Sequence, residues 1–235
     1  MRSTWTTRFS HWLFPSRCLL CGAPGDGRLD LCAGCREDLP VNDTACRHCA
    51  LPLGVAGVCG RCQNRPPAFD WVIAPYLYRP PLDQLLTGLK FHGRLSHAPL
   101  LGQLLAGAVR TRLLPRPQLL LPVPMHARRL RERGFNQALE IARPVARHLE
   151  IPLRWDLLRR RRATPPQSGL DEAARRRNLR DAFEWTDPGP MPYRHVTLLD
   201  DVMTTGTTVD TLARLLKSHG VATVSVWTCA RTPRH

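Results

Sequence analysis

The chain contains almost no lysine and no long apolar segment. No stretch approaches the roughly 18 consecutive apolar residues of a membrane-spanning helix, so we expect no stable membrane insertion. Only Lys90 and Lys217 are lysines, although Lys plus Arg total 34 against 19 Asp plus Glu, for a formal net charge of +15. The 22 prolines and 16 glycines exclude a long coiled coil or helical repeat array, because both need uninterrupted helical periodicity. The excess of arginine favours an anionic partner.

The chain also has few aromatic residues, and its first residues do not resemble a secretory signal. Residues 1–18 lack the apolar stretch of a secretory signal peptide, so we expect a cytoplasmic protein. The six Trp, three Tyr and six Phe rarely lie among the arginines, which argues against nucleic-acid binding that depends mainly on base stacking. The composition, 43% hydrophobic and 23% charged, is that of a globular protein.

Cysteine, in contrast, is abundant and regularly spaced. Eight of the nine cysteines form four Cys-x-x-Cys pairs, separated by gaps of ten, ten and nine residues. Each pair can direct two thiolates at one metal ion, and two pairs complete a tetrahedral zinc site. We therefore predict two structural zinc ions. The predicted ligands are Cys18, Cys21, Cys32, Cys35, Cys46, Cys49, Cys59 and Cys62.

The spacing alone does not say which of these Cys-x-x-Cys pairs, called knuckles below, share a metal ion. In a sequential arrangement the first two pairs share one ion and the last two share the other, whereas a cross-braced arrangement joins pairs one and three, then two and four. A disulfide framework is the rival interpretation, but disulfides need an oxidising compartment. The ninth cysteine, Cys229, lies in an alternating apolar run and is expected to be a buried strand residue.

A polar joint containing two prolines follows the last knuckle, at residues 63–67. We place a domain boundary there, with a zinc-binding domain at residues 1–66 and an α/β domain at residues 67–235. The segment between Cys18 and Cys62 has too few large apolar side chains for a core of its own, so we expect it to depend on metal to fold. The second part is long enough for a single α/β core.

Residues 196–210 read VTLLDDVMTTGTTVD and predict a buried strand, a tight loop and a helix that ends near Gly220. Backbone amides at such a helix N-terminus stabilise an anion, and the threonine hydroxyls add donors. The paired carboxylates of Asp200 and Asp201 would repel a phosphate unless they engaged ribose hydroxyls or magnesium. The pattern favours a 5-phosphorylated ribose as ligand. The predicted binding residues are Val202, Met203, Thr204, Thr205, Gly206, Thr207 and Thr208.

This order of strand, two acids and Thr-Thr-Gly-x-Thr loop resembles the phosphoribosyl pyrophosphate signature of type I phosphoribosyltransferases. Further segments, LKFHG at residues 89–93, RGFNQ at residues 133–137 and RRRNLRDAF at residues 175–183, look like those of the competence protein ComF family, also called GntX-like. The four knuckles match that family too. The resemblance implies an α/β fold, a parallel sheet flanked by helices, preceded by a small double zinc ribbon.

The resemblance also implies a pyrophosphate loop after the first core strand, here Leu119 to Val123, so that the loop begins at Pro124. Arg128, Arg129 or Arg133 could contact phosphate oxygens bidentately. We select Arg133, Asn136 and Gln137 as ligand contacts, at the start of a helix that is predicted to continue through Arg147. Lys90 would complete the pocket from another element, although an ordinary surface lysine is an equal alternative.

An arginine-rich segment with a proline pair, residues 159–178, is a poor core element. The resemblance implies a flexible loop here that closes over the reactive sugar, where Thr164, Gln167 and Arg177 could reach the ligand. A solvated loop is the alternative interpretation.

Two functions from different classes follow. The first is an enzyme that binds phosphoribosyl pyrophosphate with magnesium and transfers phosphoribose to an unidentified acceptor. The second, which the resemblance to the ComF family implies, is a binding protein with little or no catalysis, in which the basic surface and the zinc module handle single-stranded DNA with competence-machinery proteins during transformation. The sequence assigns no general base.

Overall fold

The protein is described here by a computed structural model, which covers residues 16–27, 29–161, 182–187, 189 and 192–233. The predicted lid contacts Thr164, Gln167 and Arg177 lie outside these ranges. No helix within the described residues has both the length and the apolar composition to cross a bilayer.

A five-stranded parallel sheet forms the centre of the fold. Four strands follow one another in the order β1, β7, β6, β3, and β2 also pairs with β7, beyond the end of β1. β4 and β5 form a separate antiparallel pair. The strands are β1 (Trp71–Ile73), β2 (Tyr76–Leu77), β3 (Leu119–Pro122), β4 (Leu158–Arg160), β5 (Phe183–Trp185), β6 (His195–Met203) and β7 (Thr223–Arg231).

The central strands are continuous apolar runs because helices cover both faces of a parallel sheet. All four residues of β3 are buried, as are eight of the nine residues of β7. The helices are α1 (Ala33–Glu37), α2 (Gly60–Asn64), α3 (Leu82–His92), α4 (His97–Arg110), α5 (Ala127–Arg133), α6 (Gln137–Leu149) and α7 (Thr207–Ser218).

The N-terminal cysteine-bearing segment packs on this sheet. Its buried cysteines and leucines belong to one continuous buried cluster with the strands and helices. Backbone hydrogen bonds also join the two parts, from the Asn42 amide to the Pro75 carbonyl at 2.8 Å and from the Leu77 amide to the Pro40 carbonyl at 2.7 Å. The division at residue 66 stays a prediction.

Two sequence-based predictions of element boundaries are wrong. The strand predicted at the start of residues 196–210 runs from His195 to Met203, so Asp200, Asp201, Val202 and Met203 belong to β6, which pairs with β7. Arg133 does not begin the helix that carries Asn136 and Gln137. It ends α5, and Gly134, with a φ of +84°, breaks the chain before α6 begins at Gln137. Only glycine adopts this left-handed conformation without strain.

Gly102 fixes the close approach of α4 to α6. A Cβ at this position would collide with Pro144 and would lie 3.0 Å from the Ile141 carbonyl oxygen. We expect Gly102→Ala to destabilise the protein by about 1–3 kcal/mol, because well-packed interiors do not absorb an added methyl group. Urea denaturation followed by circular dichroism measures the change.

Gly107, one and a half turns further along α4, is the matched control. A Cβ there meets no heavy atom within 4 Å. Gly107→Ala should stabilise the protein by about 0.5–1 kcal/mol, because alanine has the higher helix propensity. Equal effects of the two substitutions would contradict the close packing of α4 on α6.

Candidate functional site

The acidic pair lies at the carboxyl edge of β6, a strand with parallel neighbours on both sides. Asp200 pairs with Thr228 of β7, and Leu199 pairs with Pro122 of β3. Because parallel strands end at the same edge, the chains that follow β3, β6 and β7 all meet here. Ligands of open α/β sheets bind at such edges, where neighbouring connections diverge.

A cavity of about 430 Å³ opens at this edge. Ten of the residues predicted from sequence line it, and they come from several separate helices, strands and loops. They are Lys90, Pro124, Arg133, Asn136, Gln137, Asp200, Asp201, Val202, Thr204 and Thr208.

Four predicted residues do not line the cavity and lie behind it. Met203 is 3% exposed, and its methyl group occupies the space that a Cβ on Gly206 would need. Gly206 has a φ of +77°, so this position favours glycine for both steric and backbone reasons. The hydroxyls of Thr205 and Thr207 lie 2.8 Å apart and hydrogen-bond to each other. These four residues shape the turn into α7.

Lys90 reaches the acidic pair from α3. Its Nζ lies 3.7 Å from Oδ2 of Asp201, a residue only 8% exposed. That oxygen is buried and has no hydrogen-bond partner among the described residues. Burial raises the pKa of Asp200 well above its ordinary value, the charge of Asp201 raises it further, and Lys90 opposes both. Ionisation of Asp200 is therefore unfavourable unless a cation binds close to its carboxyl group.

Arginines give the rest of the cavity a positive field. Arg129 and Arg133 from α5 and Arg160 from β4 all line it. Burial lowers the pKa of Arg133, and Asp201 partly offsets this effect. Burial and repulsion from Arg129 lower the pKa of Arg160, while Asp200 raises it. Such guanidinium groups favour an anionic ligand with several phosphate oxygens.

Sequence reasoning missed several cavity residues, among them Arg160, Phe91 and Tyr78. Arg160 stood in an arginine run that was assigned to a loop, whereas the structure places it in β4. Phe91 is 66% exposed and lines the cavity mouth, with Lys90 and Arg133 each 5.8 Å from its ring centroid. Tyr78 also lines the cavity. The one signal in the sequence that could have pointed to Phe91 is its position in LKFHG, directly after Lys90.

Asn136 has a structural role in the loop after β3. Its Oδ1 accepts a hydrogen bond from the Ala138 amide and caps α6, and its Nδ2 donates to the Val123 carbonyl at 3.0 Å. Gln137 is buried beside it. A direct ligand contact from either residue stays a prediction.

The cysteines form two tetrads, grouped sequentially: Cys18, Cys21, Cys32 and Cys35 in the first tetrad, and Cys46, Cys49, Cys59 and Cys62 in the second. The cross-braced arrangement is therefore wrong. All sulfurs within a tetrad lie within 4.8 Å of one another.

The tetrads have the dimensions of zinc sites. The Cys21–Cys32 and Cys49–Cys59 sulfur atoms are 3.7 Å apart, close to the edge of about 3.8 Å that follows from tetrahedral geometry and a Zn–S distance of about 2.3 Å. Although burial opposes it, backbone N–H groups lower the pKa of Cys46 to about 6. Burial and the charge of neighbouring thiolates raise the pKa of Cys62. Four thiolates cannot coexist here without a cation.

Fold and site together define a phosphoribosyltransferase-fold protein that carries a double zinc ribbon. Residues 9–63 match the double zinc ribbon domain family, and residues 136–234 match the phosphoribosyl transferase domain family. The chain belongs to the ComF family of competence and DNA utilization proteins.

Three relatives support this assignment. The chain is 38% identical to DNA utilization protein YhgH of Escherichia coli O157:H7, over 93% of this chain and 98% of that protein. It is 35% identical to Competence protein F of Haemophilus influenzae, with the same coverage of both chains. Competence protein ComFC of Bacillus subtilis is 27% identical, over 86% of this chain and 84% of that protein.

The raised pKa of Asp200 gives a stability prediction. A carboxylate whose folded-state pKa lies above its unfolded value destabilises the fold at pH 7, and this cost vanishes as the pH falls below about 4, where both states are protonated. Asp200→Asn should therefore raise the melting temperature of the ligand-free protein at pH 7, by about 2–4 °C for each kcal/mol relieved. Differential scanning calorimetry at several pH values measures the shift.

Asp156→Asn is the contrasting control. The exposed Asp156 pairs with Arg154, whose hydrogen bond lowers the pKa of this carboxyl, so its removal should leave stability unchanged or slightly reduced. A fall in melting temperature for Asp200→Asn at pH 7 would show that the ionised pair stabilises the fold instead.

Proposed function

We propose that the cavity binds phosphoribosyl pyrophosphate, and that the protein transfers phosphoribose from it. One observation carries the proposal: an acidic pair, two threonines at the turn into α7 and three arginines line the same cavity. The loop leads directly into the twelve-residue helix α7, whose first-turn amides and dipole favour a phosphate group. Asp200 and Asp201 then stand where ribose hydroxyls would follow the 5-phosphate.

The pyrophosphate would occupy the cationic side of the cavity. Arg129 and Arg133 line that side from α5, and Lys90 lines it from α3. Their charges stabilise a diphosphate in the ground state and stabilise it more strongly as negative charge grows on the departing oxygen. Arg133 is partly buried, and its guanidinium lies 5.8 Å from the Phe91 ring centroid at the same cavity.

The donor set also fits magnesium. Asp200 and Asp201 offer hard carboxylate oxygens, and the buried Oδ2 of Asp201 has no hydrogen-bond partner among the described residues. Magnesium bound with the substrate would supply charge neutralisation for the leaving pyrophosphate. The two carboxylates orient the sugar and stabilise the positive charge that develops on its anomeric carbon. We also propose that each cysteine tetrad holds one structural zinc ion.

The acceptor is unidentified. Asp200 and Asp201 are the only carboxylates among the described cavity-lining residues, and no histidine is found among them. The pair therefore also has to serve as proton acceptor, unless the acceptor brings an unprotonated nitrogen. The exposed ring of Phe91 and Tyr78 give the cavity two aromatic side chains near its charged groups.

Handling of single-stranded DNA is the second candidate function. Relatives carry the names DNA utilization protein and competence protein. Residues 110–180 contain 18 arginines against six acids, and several of these arginines on α5 are exposed. Arginine side chains can track a phosphate backbone without base contacts. In this role the cavity would bind its ligand without turning it over.

The two lysines of the chain allow a matched test of ligand binding. Lys90→Met removes the cation beside Asp201 and should weaken binding of phosphoribosyl pyrophosphate with magnesium about tenfold or more, as expected for a lost charged contact. Lys217→Met breaks only the partly exposed pair with Asp70 and should bind like the wild type. Isothermal titration calorimetry compares the three proteins.

Pyrophosphate release then separates the two functions. The wild type should release pyrophosphate above background with at least one member of a panel of bases, nucleosides and amines. Binding without release from any of them would favour the DNA-handling function. Failure of the wild type to bind phosphoribosyl pyrophosphate would contradict the proposed site itself.

A further inference from the structure

The last residue of β7, Arg231, has a guanidinium group that is buried between the second cysteine tetrad and the phosphate loop, which we define as residues 203–208. The side chain is 1% exposed. Its Nε donates to the carbonyl of Cys49, a member of the second tetrad, at 3.0 Å. The two N–H groups of its Nη1 are shared among three carbonyls, those of Met203 at 2.8 Å, of Thr232 at 2.8 Å and of Thr204.

A second arginine makes a parallel connection. Arg61 lies between the tetrad cysteines Cys59 and Cys62 on α2, and its Nη1 donates to the Thr205 carbonyl at 2.7 Å. Three successive carbonyls of the phosphate loop, those of Met203, Thr204 and Thr205, are therefore bound by arginines on the side of the second tetrad.

This arrangement dictates where the loop amides point. In a planar trans peptide the N–H lies opposite the C=O. Carbonyls bound by the two arginines therefore direct the amides of Thr204, Thr205 and Gly206 away from these arginines, and Thr204 and Thr208 of the same loop line the ligand cavity. Successive amides that converge in this way form an anion-binding concavity.

Among the described residues, the first tetrad has no comparable connection to the phosphate loop. The backbone hydrogen bonds of Cys18 and Cys32 stay local, with Ala23, Gly22 and Arg36 as partners. Cys21 is exposed. Within the described residues, the two metal sites thus differ in their relation to the ligand cavity.

We propose that the second tetrad, through Arg231 and Arg61 as positioning residues, holds the phosphate loop in its ligand-binding conformation. Metal at this tetrad then sets the affinity for a phosphorylated ribose, whereas metal at the first tetrad does not. The part that concerns affinity rests on the proposed function. The part that concerns the loop conformation is independent of any ligand.

One pair of variants tests the metal sites. Cys62→Ser disrupts the second tetrad and Cys21→Ser the first, and each should retain one zinc ion by elemental analysis. Hydrogen–deuterium exchange of the ligand-free proteins should be faster than wild type in residues 203–208 for Cys62→Ser and unchanged there for Cys21→Ser. Affinity for phosphoribosyl pyrophosphate should fall tenfold or more only in Cys62→Ser.

A second pair keeps both tetrads intact. Arg61→Ala removes the hydrogen bond to Thr205. Arg47→Ala truncates an exposed arginine of the same ribbon whose side chain has no hydrogen bond or ion pair among the described residues, and it keeps the backbone bond from the Arg47 amide to the Gly57 carbonyl. Both should retain two zinc ions. Arg61→Ala should exchange faster at the phosphate loop and bind the ligand on the order of tenfold more weakly, the usual effect of losing a charged hydrogen bond. Arg47→Ala should match the wild type.

The proposal is overturned if residues 203–208 of Arg61→Ala exchange hydrogen at the wild-type rate while both zinc ions are present. The same holds if Cys21→Ser loosens the loop as much as Cys62→Ser does. If Cys62→Ser unfolds throughout the chain, the comparison of Arg61→Ala with Arg47→Ala decides alone. A wild type that fails to bind phosphoribosyl pyrophosphate refutes the proposed function, yet the ligand-free exchange still decides the role of the tetrad.

Discussion

A charged guanidinium in the interior needs a hydrogen-bond partner for each donor. At Arg231 this need is met by hydrogen bonds that connect the cysteine-bearing segment to the central sheet. Its partners are backbone carbonyls from the cysteine-bearing segment, the end of β6 and the residue after β7. Leaving these donors unpaired in the interior would be costly. The second tetrad, the sheet edge and the phosphate loop therefore keep fixed relative positions.

The same edge holds charges that the fold itself disfavours. Asp200 and Asp201 are adjacent and largely buried, with Lys90 as the nearest cation, and the arginines of α5 and β4 stand around the cavity. Such an arrangement stabilises an anionic ligand that brings its own cation better than it stabilises the empty protein. Sites that combine buried like charges with nearby cations are typical of ligand binding rather than of packing.

Local patterns in the sequence predicted much of this site. The cysteine spacing predicted the ligand atoms that the two tetrads bring together, and the order of strand, acids, loop and helix predicted the turn that borders the cavity, because each signal lies within a few dozen residues. Gly134 was also a readable signal, since a glycine after a short arginine-rich helix is a common C-terminal cap. The helix break before Asn136 could therefore have been predicted.

Contacts between distant residues could not be predicted in this way. Arg231 and Cys49 are 182 positions apart. Nothing local marks a C-terminal arginine as buried, because arginines are usually exposed. The longer strand β6 likewise follows from its full-length pairing with β7, which also buries Met203 beneath the turn instead of placing it in the cavity. The sequential pairing of the cysteines needed the same three-dimensional information.

The central claim is that the carboxyl edge of β6 receives a phosphorylated ribose. A crystal structure of the protein with phosphoribosyl pyrophosphate and manganese in place of magnesium tests it most directly. The account predicts the 5-phosphate within hydrogen-bond distance of the amides of the phosphate loop, with ribose hydroxyls at Asp200 and Asp201. Ligand density confined to the exposed arginines of α5, with the acidic pair free of ligand and metal, would contradict it.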